Sequence, residues 1–331
     1  MSEADVLDKQ SSVSTEMKIK PYEIDYDKLH GRGAAFLITP LGKGSVFSRE
    51  QFSEDHKMFE QTAKEFGENR ILPVREELNV LNKDLSLKIF RELGELGFTG
   101  IDVPEEYGGN PVSAMARVVI AEESSKCRLG GYAPALGAFG GGPPNIIWGG
   151  TPEQIERYGI PCVEGKKRAF VAITEPTGGS DPRNNISTRA EKDGDEWVLN
   201  GRKMWITGAE GADFGILFAR TRDGTADAPP EITAFIVEPT FPGIYFNEIK
   251  VIRALSPYEI VLENCRVPTE NVLGSVGQGF GVAQSWLVDA RIPYAAGCIG
   301  MAQEALDMAC GWVKQRPTRD GMLADKQAIQ W

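Results

Sequence analysis

The chain has 331 residues, 41% hydrophobic and 25% charged, enough for a substantial core and for two or three domains. Its formal net charge of -11 lacks the excess of Lys and Arg that neutralises phosphates, so neither nucleic acid nor an anionic membrane surface is an expected partner. Five cysteines without a CxxC pair and only two histidines offer no disulfide framework, zinc ligand set or Ser-His-Asp triad, and with no apolar span or leader the expected location is cytoplasmic, or the mitochondrial matrix if eukaryotic.

Residues 1–47 begin polar, and Tyr22, Ile24 and Tyr26 then alternate with acidic neighbours, which predicts an extended arm. Over 48–165 the pattern is helical. Ser48 with Gln51 resembles a capping box, Phe52, Phe59, Ala63 and Phe66 share one helix face, and His56 belongs to a solvated face. Leu85, Ile89, Leu93 and Leu96 predict a second helix over 85–96 ended by Gly97, and 112–126 predicts a third. Loops are expected at 104–109 and 137–144. The glycines of the second loop, Gly137, Gly140, Gly141 and Gly142, form no GxGxxG between a strand and a helix, and Gly31-Arg32-Gly33 is weaker still, so no Rossmann or phosphate-loop domain is expected.

The segment 166–275 is predicted to be an antiparallel β-domain. An apolar strand through Val171 and Ile173 runs into Thr174-Glu175-Pro176-Thr177-Gly178-Gly179-Ser180-Asp181, a loop whose backbone N–H groups and hydroxyls suit an anion or a flat polar ring. Asp193-Gly194 predicts a tight turn between 187–192 and 195–199, and Asn200-Gly201 a second turn before 202–206, because both dipeptides tolerate positive φ. Trp197, Leu199, Met204 and Ile206 alternate with polar or outward neighbours that include Lys203 and Trp205. The second turn would bring Trp205 back beside the Thr174 loop, with Ser180 and Trp205 in one pocket. Runs at 214–220, 232–238 and 259–264 extend the sheet to about seven strands.

Residues 276–331 predict the start of a helical bundle. A long helix runs from the glycines at 277–281 to about Arg316, with Ala295, Ala296, Gly297, Gly300 and Ala302 allowing close packing and Leu306 and Trp312 as expected core contacts. Pro293 predicts a kink or a helix start inside it. A further helical turn begins near Asp325 and carries Ile329 and Trp331.

Taken together these fragments resemble the acyl-CoA dehydrogenases. The likeness covers about 50–331 and is carried by Thr174-Glu175-Pro176 with Gly179-Ser180-Asp181, by Asn200-Gly201 with Lys203-Met204-Trp205-Ile206-Thr207, by Glu263-Asn264-Cys265-Arg266-Val267-Pro268 through Asn271-Val272-Leu273-Gly274, and by Gly277-Gln278-Gly279-Phe280, all in the family's order. The resemblance implies an α+β protein, with an N-terminal helical domain, a middle antiparallel β-domain and a C-terminal helical bundle. It also implies FAD as cofactor, an acyl-CoA substrate oxidised to its 2-enoyl product, an electron acceptor such as an electron-transfer flavoprotein, and a homodimer or homotetramer. Val171, Ile173 and Thr174 would border the flavin ring, Gly179 and Ser180 would lie by the pyrophosphate or the CoA, and Trp205, Ile206 and Thr207 would cover the ring's other side. Arg291 would sit near the CoA entrance, and Arg316 and Gln327 match positions that reach FAD bound mainly by a neighbouring subunit.

Three positions depart from the family pattern. The usual catalytic Glu is expected beyond the end of this sequence, and Ala290 stands where a minority of the family places its base. Asp289 is about a hundred degrees around a helix from there. Where the family has Arg-x-x-Phe-Gly, the chain has Arg316-Pro317-Thr318-Arg319-Asp320, and Val288 replaces an acidic residue. The alternative expectation is a member that binds acyl-CoA or a partner subunit without turnover.

Overall fold

The computed structural model describes residues 25, 34–40, 47–79, 82–129, 144–209, 211–252 and 256–331. Tyr22, Ile24, Tyr26, Gly31-Arg32-Gly33 and the glycines at 137–142 lie outside them. Two compact units result, Met1–Phe52 and Ser53–Trp331. In the first, the expected box of Ser48 and Gln51 forms, with the Ser48 amide donating to Gln51 Oε1 at 2.9 Å, but it caps only the single turn Arg49–Gln51.

The first long helix, α1 (Glu54–Phe66), is capped instead by Ser53, whose hydroxyl accepts from the His56 amide at 3.3 Å. His56 is half-buried among exposed neighbours and is also bonded: its Nδ1 accepts from the Ser53 amide at 3.2 Å and its Nε2 meets Ser113 Oγ at 2.7 Å. An Nδ1 that accepts leaves the proton on Nε2, so the imidazole ties the start of α1 to the N-cap of α3 (Ala114–Ser124). Between them in sequence, α2 (Lys83–Glu95) starts at the Asn82 cap and stops at Gly97, whose φ is 73°. Phe59, Ala63, Ile89, Leu93 and Ile120 fill the core that these helices share, the helical periodicity turned directly into packing.

Eight strands make the sheet: β1 (Ala169–Ala172), β2 (Arg189–Asp193), β3 (Glu196–Ile206), β4 (Phe214–Arg222), β5 (Glu231–Val237), β6 (Ile244–Glu248), β7 (Tyr258–Pro268) and β8 (Val272–Leu273). They run in the order β6-β7-β3-β2-β4-β5-β8, with β1 paired to β4 in parallel and most other pairs antiparallel. β4 and β5 are apolar without alternation because both of their faces are covered. Leu217, Ala219, Phe235 and Val237 pack into the core on one side, and Phe214, Ile216, Phe218 and Ile236 meet Ile147 and Tyr158 on the other.

Two expectations about β3 are corrected. Asn200-Gly201 makes no turn: β3 runs straight through it, and the register shift between Leu199 and Gly201 comes from an extra residue on β7, which takes three residues from Leu262 to Cys265 against two on β3 and puts Asn264 at a φ of 51°. Gly201 has a φ of 150° and a Cβ there would lie 2.5 Å from Thr188 Oγ1, while Asn200 Oδ1 accepts from the Asn264 amide at 2.8 Å. The dipeptide that tolerates a turn also continues a strand, and the pairing with β7 selects the strand. Of the inner and outer faces expected for 203–206, Trp205 is exposed and Ile206 buried as expected, but Lys203 is buried and Met204 half-buried. With no turn at Asn200-Gly201, Lys203 stays on the face of Trp197 and Leu199, and an extra residue on β3 between Lys203 and Ile206 then brings Ile206 onto the same face.

The last long element, α4 (Gly279–Gln315), passes through Pro293 without starting anew. It is anchored at its start, where the Gly277 amide donates to Thr233 Oγ1 at 2.9 Å on β5. Pro293, Ala296, Gly297 and Gly300 form its buried stripe, and a Cβ at Gly300 would stand 2.0 Å from the Glu122 carbonyl oxygen of α3. The expected core contacts Leu306 and Trp312 are instead 58% and 61% exposed. Small residues bring α4 against α3, and the larger apolar residues are left on its other faces. Cys127, Cys162 and Cys265 are buried packing residues, whereas Cys298 and Cys310 on α4 are exposed.

Candidate cofactor site at the sheet edge

The C-terminal end of β3 and the loop after β1 meet at one edge of the sheet. The Met204 amide donates to the Thr174 carbonyl at 2.8 Å, and Lys203 Nζ donates to the Ile173 carbonyl at 3.2 Å. Lys203 also pairs with Glu175 at 2.8 Å, and the two side chains are 0% and 1% exposed. Glu175 accepts further bonds from the Ser187 amide at 2.7 Å, the Ser187 hydroxyl and the Thr188 amide at 3.0 Å, so its oxygens are fully occupied. Burial pushes the Glu175 carboxyl up, but the Lys203 charge and these hydrogen bonds outweigh it and hold the group at about 2. For Lys203, burial outweighs the pull of Glu175 and lowers the ammonium below its ordinary value.

Above this buried pair the backbone of Trp205 takes a φ of 63°, in the left-handed region that a bulky residue adopts only under constraint. Its indole is 56% exposed. Thr174 is half-buried beside it, and Gly179 lies so close that a Cβ there would come within 3.1 Å of Thr174 Cγ2. Ser180 follows, exposed. Val171 and Ile173 are half-buried against the β4–β5 core, Thr207 is exposed, and Ile206 is turned into the sheet core at 3% exposure, so that it offers a ligand its backbone alone. The loop 174–181 and the 204–207 end of β3 are thus brought together, although not by the expected second turn: the full length of β3 carries Trp205 there.

Arg291 is exposed on α4. Arg316 closes α4 and Gln327 opens the final turn Gln327–Gln330; both are exposed. They sit at the far end of a helix about 55 Å long whose first turn docks on β5. Sequence reasoning passed over three contributors. Glu175 and Lys203 stand inside the family fragments, yet a lysine in an alternating strand reads as outward-facing. Arg183 in the short helix Pro182–Asn185 lays its guanidinium over the Phe280 ring at 5.7 Å, linking the loop after Ser180 to the start of α4. Among the described residues no group of three or more His, Cys, Asp and Glu is placed to hold a metal ion, and no helix is long and apolar enough to cross a membrane.

Three family models match along the chain: the acyl-CoA dehydrogenase N-terminal domain over 53–166, the middle domain over 170–265 and the C-terminal domain over 277–331. A subunit of a caffeyl-CoA reductase–Etf complex from Acetobacterium woodii is 35% identical over 287 residues, 84% of this chain and 73% of the relative. The chain belongs to the acyl-CoA dehydrogenase family. A probable acyl-CoA dehydrogenase of Bacillus subtilis is 33% identical over 290 residues, 86% of this chain but 48% of the relative, so the chain spans about half of that protein's length. The solved structure of an acyl-CoA dehydrogenase complexed with FAD from Bacillus anthracis superposes with a TM-score of 0.80 at 35% identity, over 90% of this chain and 52% of the other.

The family consists of FAD-binding oxidoreductases. An indole is held exposed on a constrained backbone, a threonine and a glycine-containing loop lie beside it, and the buried polar groups beneath are all partnered.

Proposed function

We propose that the edge formed by 171–181 and 204–207 binds FAD and serves the α,β-dehydrogenation of an acyl-CoA thioester. The observation that supports this most is Trp205, a large apolar ring 56% exposed and mounted on a left-handed backbone above a fully buried ion pair. Folding alone gains nothing from holding an indole in water at a strained residue. In this assignment Thr174 and the backbone of Ile173 border the polar edge of the flavin, and Trp205, the Ile206 backbone and Thr207 line its other side. Gly179 and Ser180 face phosphate, Val171 supports the strand from below, and Ser180 with Arg291 contacts the substrate. Bound FAD supplies a hydride acceptor.

A proton must also leave the α-carbon, and Ala290 provides no base at the position where part of the family carries one. Arg316 and Gln327 are assigned to FAD held mainly by a second subunit, which makes the working form a homodimer or a dimer of dimers. Their place at the far end of α4 supports this. An electron-transfer flavoprotein is the proposed electron partner, in line with the Etf complex to which the Acetobacterium relative belongs.

The test is reconstitution of the 331-residue protein with FAD, followed by addition of acyl-CoA and observation of flavin bleaching. Bound flavin is expected, and Ala290→Glu is expected to speed its bleaching relative to the unaltered protein. Absence of bound flavin would overturn the site, and bleaching unchanged in Ala290→Glu would overturn the placing of position 290 beside the substrate.

A further inference from the structure

We propose that Lys203 and Glu175 are the positioning pair of the sheet edge: their buried contact locks the Thr174 loop onto the end of β3, and so holds Trp205 ready for the cofactor. The inference rests on the flavin assignment above and deepens it. Each partner is one or two residues from a group that would touch FAD. Glu175 follows Thr174 and Lys203 precedes Trp205 by two positions.

Lys203 bridges the two segments twice, once through Glu175 at 2.8 Å and once through the Ile173 carbonyl at 3.2 Å, and the Met204 amide closes the junction on the Thr174 carbonyl at 2.8 Å. Glu175 extends the lock to the start of the next strand through Ser187 and Thr188. A wholly buried ion pair is a poor stabiliser, because well-packed apolar residues of similar volume commonly do as well or better. What such a pair provides is one geometry. The hydrogen bonds on Glu175 leave it no alternative orientation, and β3 is then fixed in the register that puts Trp205 at a φ of 63°. Without the two charges the end of β3 can relax toward ordinary extended backbone, and the indole loses its mount while the rest of the sheet is unaffected.

The experiment compares wild type with the double variant Glu175→Leu plus Lys203→Met, and with Glu175→Gln should the double variant not fold. Three quantities are read: the unfolding midpoint without cofactor, amide hydrogen exchange of 173–180 and 203–207 against 214–222 and 231–237, and FAD affinity. The expected result is a lowered midpoint, because the Ser187 and Thr188 amides and the Ile173 carbonyl lose their partners, with exchange at least about tenfold faster at the edge alone and FAD binding weakened by about tenfold or more. Wild-type exchange at the edge, or wild-type FAD affinity in a variant with the charges removed, would overturn the positioning role. Failure of the wild-type protein to bind FAD would overturn the flavin assignment instead, and the exchange comparison would still decide whether the pair locks the edge.

Discussion

Among the described residues tryptophan is exposed at several places, Trp148 at 64% included, and the sheet edge and the C-terminal end differ in what lies beneath the ring. Trp205 at the sheet edge is 56% exposed, whereas Trp312 and Trp331 at the C-terminal end are 61% and 89% exposed. Beneath Trp205 lie a left-handed residue, a buried ion pair and hydrogen bonds to three different segments, so the exposed ring is built into a rigid mount. Trp312 stands on ordinary helix in company with Leu306 and Met308, all outward on faces of α4 that the α3 contact does not use. Exposure is thus evidence of a ligand only where the fold spends conformational strain to maintain it. On α4, helical periodicity alone puts the side chains where they are.

The largest effect is expected at the ion pair. Lys203→Met alone leaves a buried carboxylate without its cation, which is expected to cost about 3–5 kcal/mol in denaturant unfolding. A cost below about 1 kcal/mol would mean that the edge is soft. Acid gives a milder version of the same perturbation. The folded carboxyl of Glu175 is held at about 2 against an ordinary 4.5, so its contribution is complete above 4.5 and is lost as pH falls toward 2. The unfolding midpoint of wild type should accordingly drop over that interval more steeply than that of Glu175→Gln; parallel curves would contradict the pair's role. The smallest effect is expected at the other region. Trp312→Ser removes an exposed side chain and should change stability by no more than about 0.5 kcal/mol. A larger loss would show that the C-terminal part of α4 is covered in solution.

Much of this organisation was legible in residue order. The helices at 54–66, 83–95 and 114–124 follow from apolar spacing and from caps, and the three-part α+β architecture from the family fragments taken in order. The meeting of the Thr174 loop with the end of β3 was also readable, but the geometry joining them was not. Asn200-Gly201 is compatible with a turn or with a continuous strand, and only the pairing of β3 with β7 decides between them. The burial of Lys203 follows from that choice: with no turn, unbroken alternation carries the face of Trp197 and Leu199 on to Lys203. Its burial also depends on Glu175, twenty-eight positions away, which periodicity cannot reveal. On α4 the large apolar residues suggested a core, yet it was the small ones, Ala296 and Gly300, that made the contact.

The central claim is that Trp205 is one wall of a flavin site, and titration of the cofactor-free protein with FAD while following tryptophan fluorescence tests it most directly. Wild type should show saturable quenching, and Trp205→Phe should lose the larger part of that quenching and bind FAD more weakly, while Trp312→Phe should behave as wild type. Quenching that survives in Trp205→Phe at unchanged affinity would contradict the claim.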